Sequence, residues 1–177
     1  ETACAFPDVF IAAYYSLYEI ARLKKGAPVL IQTAAGGLGL VAVQLAQLRG
    51  AVIYGTSSSP EKLDYLRTIG VEFGINYATE DFCQRVKQLT NGRGVDIVVN
   101  TLSGEAVQKG IDCLAPGGRY VELAVAWLRT SQHLDLSRLT SNQSFYSVDL
   151  RKLLKDEPQA AQRYLVIMAE MLENQSL

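Results

Sequence analysis

The sequence predicts an α/β protein with a Rossmann-type, doubly wound parallel sheet and helices on both faces. Three observations predict this fold. Short apolar segments rich in β-branched residues alternate with helical segments along the chain. These apolar segments do not alternate apolar with polar residues, which is typical of strands buried on both faces of a parallel sheet. The first of them leads through a glycine-rich turn into a helix, as in dinucleotide-binding units.

The elements can be justified in chain order. A helix is predicted over residues 7–23, because its apolar side chains recur at helical spacing and the lysines of "KKG" favour a helix C-terminus. The β-branched segments predict strands at residues 29–33, 52–56, 71–75, 95–100 and 120–124. Helices near residues 38–48, 60–68, 80–90 and 105–114 lie between or after these strands and would cover the sheet.

Turn and cap residues agree with this order. Ser59 followed by Pro60 predicts a helix N-cap with a first-turn proline, and Gly70 lies where that helix should stop. We interpret "NGRG" and "PGG" as turns before the next strands. Residues 127–142 are polar and irregular, and we predict no structure for them. A sixth strand, 144–148, and a helix over 158–173 complete one domain that occupies residues 1–177.

Charge and composition disfavour several classes of function. A formal net charge of −1 with scattered lysines and arginines gives no basic field for nucleic acid. No apolar run approaches the about 20 residues needed to cross a bilayer, and the first residues lack a signal-peptide pattern, so we expect a cytoplasmic protein with no membrane partner. Cys4, Cys83 and Cys113 are far apart and His133 is the single histidine, so we expect no metal site and three small buried thiols.

The stretch "VLIQTAAGGLGLVAVQLAQ" predicts a phosphate cradle. Gly37, Gly39 and Ala42 fit the pattern G-x-G-x-x-A directly between a strand and a helix. The first glycine would allow the tight turn, the second would let the backbone approach a pyrophosphate, and Ala42 would let helix and strand pack closely. The alternative is a glycine turn of some other α/β protein.

The end of the second strand favours NADP over NAD. NAD sites place an acid about 20 residues beyond the glycines to bind the ribose hydroxyl. The string "GTSSSPEK" has no acid before Glu61, and Ser57, Ser58 and Lys62 would attract a 2′-phosphate. The alternative is that Lys62 is an exposed helix lysine and that the serines only form a turn.

Longer strings resemble a known family. "VLIQTAAGGLGLVAVQLAQLRGAVIYGTSSSPEKLDYL", "NGRGVDIVVNTLSGE" and "LAPGGRYVEL" are similar to the nucleotide-binding half of the zinc-independent medium-chain reductases, and most of all to the enoyl reductase domain of polyketide and fatty acid synthases. The resemblance covers about residues 5 to 150. It implies NADPH-dependent reduction of a trans-2-enoyl thioester held on an acyl carrier protein.

The resemblance also implies roles for individual residues. The predicted cofactor-binding residues are Gly36, Gly37, Leu38 and Gly39 for the pyrophosphate; Ser57, Ser58, Lys62 and Tyr77 for the adenosine and its 2′-phosphate; and Asn100, Leu102 and Ser103 for the nicotinamide and ribose. The tyrosine match is to quinone oxidoreductases. Tyr77 could instead merely pack at a strand end, and Asn100 could be a satisfied turn residue.

Two positions bear on the proton that must follow the hydride. The family has a lysine after the strand that ends in "YVEL", where this chain has Val125, and an aspartate after the next strand, where it has Asp149. Asp149 is therefore our candidate catalytic residue, although it could equally cap the helix beginning at "LRKLL". Without the lysine, the proton could come from water or another residue, the reaction could differ, or the reductase could be inactive.

The chain contains no segment that could form the family's β-rich substrate domain. We therefore expect a cofactor domain of a larger synthase, with other synthase domains and an acyl carrier protein as partners and a possible homodimer through the edge strand. Two alternatives stay open: a fragment of a free-standing quinone oxidoreductase, and a catalytically silent structural domain.

Overall fold

The structure, a computed structural model, describes residues 2–130 and 133–174, with the backbone alone for residues 2–5. The strands are β1 Pro28–Ile31, β2 Val52–Ser57, β3 Phe73–Asn76, β4 Val95–Asn100, β5 Leu114–Glu122 and β6 Ser144–Ser147. They form one sheet in the order β3-β2-β1-β4-β5-β6, and every neighbouring pair is parallel. The chain thus winds outward from β1 in both directions, which confirms the predicted doubly wound fold.

Helices cover both faces of this sheet. They are α1 Thr2–Tyr14, α2 Gly37–Leu48, α3 Pro60–Thr68, α4 Phe82–Leu89, α5 Glu105–Asp112, α6 Val125–Thr130, α7 Leu150–Asp156 and α8 Pro158–Glu173, with a π-helical segment, Tyr15–Ile20, continuing α1. Side chains of α1, α2, α3 and α8 pack with Ile31 on one face, and side chains of α4 and α5 pack with Leu30 on the other. Adjacent residues of one strand therefore belong to different cores, which explains its continuous apolar sequence.

The predicted first helix and the predicted "PGG" turn differ from the structure. The helical backbone ends at Ile20, because Arg22 takes a left-handed conformation (φ 50°) and Leu23 N–H bonds back to the Leu17 carbonyl, 2.8 Å away. That termination has no glycine to signal it. "PGG" lies inside β5, where the pairing with β4 shifts register, so it forms an irregularity in the strand and not a turn before it.

Two short helices also lie where the sequence analysis left the structure open. α6 and α7 follow directly on β5 and β6. Ser59 caps α3 as predicted, with its hydroxyl accepting from Lys62 N at 3.3 Å, and Gly70 follows that helix at φ 87°. Because strand and helix ends alternate along the chain, the β1–α2 loop, the ends of β2, β4 and β5 and the start of α6 meet at one edge of the sheet.

Candidate nucleotide-binding site

The loop between β1 and α2 is held by the neighbouring strands. Thr33 has a positive φ of 47°, an unusual conformation for a β-branched residue. Its N–H donates to Thr56 Oγ1 at 3.2 Å, and its hydroxyl shares a hydrogen bond of 2.6 Å with Thr101. Gly36 N–H donates to the Thr33 carbonyl at 2.8 Å. The strained turn is therefore fixed by contacts to β2 and to the loop after β4.

The N-terminus of α2 emerges from this turn with no side-chain cap. Its N-cap is Gly36, in an extended conformation, and Gly37, Leu38 and Gly39 form its first turn. First-turn N–H groups have no partner within a helix, and the helix dipole is positive there. A backbone without side-chain caps and with positive potential is suited to a phosphate group.

The three glycines do different jobs from those that the sequence predicted. A Cβ on Gly39 would lie 2.4 Å from the Thr33 carbonyl oxygen and 2.7 Å from Ala34 backbone atoms. Gly39 therefore provides the close packing of helix against strand, the role that we predicted for Ala42, and the prediction was wrong on this point. A Cβ on Gly37 would meet no protein atom within 4 Å. Gly37 is thus the open position of the cradle.

The end of β2 brings together several predicted phosphate contacts. The N–H of Tyr77, after β3, donates to the Ser57 carbonyl at 3.2 Å, so the tyrosine lies beside the serine turn. Ser57 is buried and its hydroxyl accepts from Ser59 N–H at 3.2 Å, while Ser58 and Lys62 are exposed. The nearest acid, Glu61, accepts a 2.5 Å hydrogen bond from the Ser59 hydroxyl. That bond lowers the pKa of the Glu61 carboxyl.

The loop after β4 is shaped by Asn100. Its amide nitrogen donates to the Leu102 carbonyl at 2.7 Å, and its amide oxygen accepts from Leu102 N–H at 3.3 Å. The side chain is fully buried, so these bonds give Asn100 the role of a turn residue that positions Leu102 and Ser103. Ser103 is exposed at the same edge of the sheet as the glycine loop.

A buried row of polar side chains supports all these loops, and the sequence analysis missed it. Thr56, Gln32, Asn100 and Glu122 lie at the ends of four neighbouring strands, at the same level of the sheet. The Thr56 hydroxyl donates to Gln32 Oε1 at 2.5 Å, and Asn100 Nδ2 lies 2.9 and 3.1 Å from the Glu122 oxygens. The signal was available, because each is a polar residue at the end of an apolar strand.

Glu122 is the centre of this row. Its carboxylate accepts from Asn100 Nδ2, from the Tyr120 hydroxyl at 3.2 Å and from Ala124 N–H at 2.7 Å, so it ties the β4 loop to the start of the β5 loop. Burial raises the pKa of the Glu122 carboxyl, and the hydrogen bonds from Ala124, Asn100 and Tyr120 oppose that rise.

The raised pKa predicts a pH-dependent stability. The folded chain binds the Glu122 proton more readily than the unfolded chain, whose carboxyl has its ordinary value of 4.5. The stability that this group contributes is fully present below that value and is lost as the pH rises through the folded-state pKa. We expect the free energy of unfolding of the wild type to fall over this range relative to Glu122→Gln, which cannot titrate. Urea unfolding of both proteins at a series of pH values measures this difference, and a constant difference would contradict the assignment.

A cleft of about 480 Å³ lies beside the glycine loop. Its lining includes Leu38 of the cradle, Val125 at the start of α6, and Asp149 after β6. Asp149 caps α7, accepting from Lys152 N–H at 3.2 Å through Oδ1, and its Oδ2 lies 2.9 Å from Arg129 Nη2. The structure thus places Asp149 and the position of the missing lysine in one cleft, with the aspartate also serving as a helix cap.

The family becomes clear from comparison with known proteins. The family described as zinc-binding dehydrogenase matches residues 37–164, from the glycine cradle into α8. The chain belongs to this family. Within this dehydrogenase family, the chain is 40% identical over 172 residues to a phenolphthiocerol/phthiocerol polyketide synthase protein of Mycobacterium tuberculosis. The match covers 97% of the chain but 8% of that relative's length.

Solved structures locate this dehydrogenase-family chain within such synthases. It is similar to the nucleotide-binding subdomain of the enoylreductase domain of PpsC from Mycobacterium tuberculosis, with 38% identity, a TM-score of 0.91, and 97% and 96% of the two chains covered. It is also similar to the CurF ER cyclopropanase of the curacin A biosynthetic pathway, with 34% identity, a TM-score of 0.85, and 96% and 50% covered. Its homologues are thus enoyl reductase domains of polyketide synthases, large proteins with further domains.

Metal ligands are not grouped in the described part of this family member. Among residues 2–130 and 133–174, no three His, Cys, Asp or Glu side chains come together as a metal site. Cys113 is buried, and the hydrogen bond with Cys83, together with burial, raises the pKa of the Cys113 thiol. The Cys4 side chain lies outside the described residues. Of the helices described, none is both long enough and apolar enough for a membrane span.

Proposed function

We propose that this chain is the NADPH-binding part of an enoyl reductase in a polyketide synthase or a related fatty acid synthase. The observation that carries the proposal is the uncapped N-terminus of α2 beside an acid-free strand end, in a chain whose relatives are synthase enoyl reductase domains. The substrate would be a trans-2-enoyl thioester on an acyl carrier protein, and other domains of the same polypeptide would be its neighbours. The cytoplasmic location and the possible homodimer stay predictions of the sequence.

The residues present fit a dinucleotide. Gly37 leaves open space where a Cβ would project, and the N–H groups of the first α2 turn can donate to a pyrophosphate. Ser58 and the Lys62 ammonium would hold the 2′-phosphate with Tyr77 alongside, and the Asn100-shaped loop would carry Leu102 and Ser103 past the ribose and nicotinamide. When bound, NADPH supplies the hydride.

The protein's own part in the reaction is orientation and charge stabilisation. Hydride addition at the β-carbon of an enoyl thioester leaves an enolate, which needs donors near the thioester oxygen and a proton at the α-carbon. The cleft lined by Leu38, Val125 and Asp149 is where such a substrate would meet the nicotinamide end of the site. Asp149 would orient a water molecule or the carrier arm there.

The cofactor preference can be tested on the chain itself. We expect NADPH to bind at least about tenfold more tightly than NADH, because one charge-assisted hydrogen bond contributes about 1.5–3 kcal/mol. Lys62→Gln should remove most of this preference by weakening NADPH binding alone. Titration calorimetry with both nucleotides measures the affinities. Lys25→Gln, an exposed lysine before β1, is the matched control and should change neither.

The contrary outcomes are distinct. Equal affinities for the two nucleotides in the wild type would rule out the 2′-phosphate site, and no binding of either would rule out the proposed function. A loss of both affinities in Lys62→Gln would show that the lysine acts on the fold and not on the phosphate.

Val125 favours a second candidate, a reductase-like domain with an altered reaction or none. Valine cannot donate a proton where the family has lysine. The complete reductase should be assayed for oxidation of NADPH by an enoyl thioester. Absence of reduction together with tight NADPH binding would favour this second candidate.

A further inference from the structure

The start of α6 places a cation close to the position where the lysine is missing. Val125 and Arg129 are four residues apart in this helix, so their side chains lie on the same face. Both line the cleft beside Leu38 of the glycine loop. The positive charge that is lost at Val125 thus returns one helical turn later.

Asp149 holds the arginine in this place. One carboxylate oxygen caps α7 through Lys152 N–H, so the aspartate is fixed by the backbone, and the other lies 2.9 Å from Arg129 Nη2. The Arg129 side chain is 73% exposed and Asp149 only 25%, so the aspartate is the anchor and the guanidinium lies toward the mouth of the cleft. The remaining N–H groups of a guanidinium are then available to a ligand.

The walls of the cleft would strengthen a charge–charge contact made there. Leu38, Leu123 and Val148 line it with apolar side chains. A bound substrate would displace water from these walls, and an ionic interaction is stronger when water is excluded. The cleft therefore combines an apolar surface for an acyl chain with one anchored cation.

We propose that Arg129 replaces the missing lysine as the group that stabilises negative charge on the thioester oxygen, with Asp149 as the residue that positions it. This inference rests on the proposed function. As the hydride adds to the β-carbon and NADPH is oxidised to NADP⁺, the electron pair of the double bond moves toward the carbonyl and its oxygen becomes an enolate oxygen. The guanidinium donates hydrogen bonds to that oxygen.

The proton at the α-carbon then has a different source from that implied by a lysine. An arginine side chain keeps its charge in proteins and does not serve as an acid. Water in the open cleft supplies the proton, the carbonyl re-forms as the electron pair returns to the α-carbon, and the product is the saturated thioester. The two functions that one lysine could combine are thereby separated.

The test uses the complete reductase with the N-acetylcysteamine thioester of trans-2-butenoic acid. We expect Arg129→Gln to lower kcat at least about tenfold, since removal of one oxyanion donor commonly costs about 10²–10³-fold and this one is partly exposed. KM and the calorimetric Kd of NADPH should change by less than about threefold. Val125→Lys added to Arg129→Gln should restore much of the lost rate. Arg93→Gln removes a guanidinium from an ion pair with Asp96 and should leave the rate unchanged.

A second readout does not depend on turnover. An acetoacetyl thioester mimics the enolate, and its enolate form absorbs in the near ultraviolet. We expect this absorbance to rise when the thioester binds the wild-type complex with NADP⁺, and to rise much less with Arg129→Gln. A wild-type rate and a wild-type absorbance in Arg129→Gln would overturn the inference. A loss that follows a lowered Tm or a weaker NADPH affinity would also overturn it, whereas an inactive wild type would refute the proposed function itself.

Discussion

Gly39→Ala is expected to destabilise the fold by about 3 kcal/mol and to abolish nucleotide binding. The added methyl carbon would lie 2.4 Å from the Thr33 carbonyl oxygen and 2.7 Å from backbone atoms of Ala34, closer than such atoms can approach. Backbone atoms cannot rotate away as the end of a side chain can, so α2 would have to move from β1. Overpacking of this kind typically costs about 1–3 kcal/mol, and more when the neighbours are rigid.

The matched variant is Gly37→Ala, two residues earlier in the same turn of helix. Its Cβ would meet no protein atom within 4 Å, and alanine is favourable in a helix, so the free energy of unfolding should not fall. The methyl group would instead enter the space proposed for the pyrophosphate, and NADPH affinity should drop about tenfold or more.

Urea unfolding and titration calorimetry of both variants separate the two roles. A stable Gly39→Ala protein that still binds NADPH would contradict the packing role of Gly39. A Gly37→Ala protein with unchanged affinity would contradict the location of the phosphate cradle.

Glu122→Leu is expected to destabilise the chain by about 3–5 kcal/mol. The substitution would leave Ala124 N–H, the Tyr120 hydroxyl and the Asn100 amide without their acceptor in a fully buried position. Each buried unsatisfied group costs about 1–3 kcal/mol, and the costs are only partly additive. The loops after β4 and β5 would also lose their link, so nucleotide binding should weaken as well.

The isosteric variant provides the control. Glu122→Gln keeps an acceptor for Ala124 N–H and an amide that can donate to the Tyr120 hydroxyl, so at neutral pH it should cost less than about 1 kcal/mol. Equilibrium unfolding in urea measures both changes. Similar stabilities for Glu122→Leu and Glu122→Gln would show that the hydrogen bonds of Glu122 are not what stabilises this edge of the sheet.

The contrast between Glu122 and Asn100 shows why part of the site could be predicted. The resemblance to a family pointed to Asn100, but its side chain is engaged by Leu102 and by the buried carboxylate. Glu122 stood inside a quoted motif, "YVEL", and was not singled out. Its importance depends on which residues of neighbouring strands lie opposite it, and strand register is a tertiary property.

Arg129 was missed for a similar reason. It lies in the stretch for which no structure was predicted, and its partner Asp149 is 20 residues away in sequence. The end of α1 and the irregularity of β5 were misjudged because an arginine adopted a left-handed conformation and a glycine pair stayed within a strand. Local sequence preferences did not decide these positions.

The sequence by itself determined the alternation of strands and helices, the doubly wound class, the location of the glycine cradle and the acid-free end of β2. These features depend on contacts between residues near in the chain, on apolar periodicity and on cap residues, all of which can be read locally. Only the tertiary structure decided which glycine packs against β1, which polar groups form the buried row, and that Arg129 and Asp149 share a cleft with Val125. Those features depend on contacts between separate strands and helices, which exist only once the sheet has fixed their register.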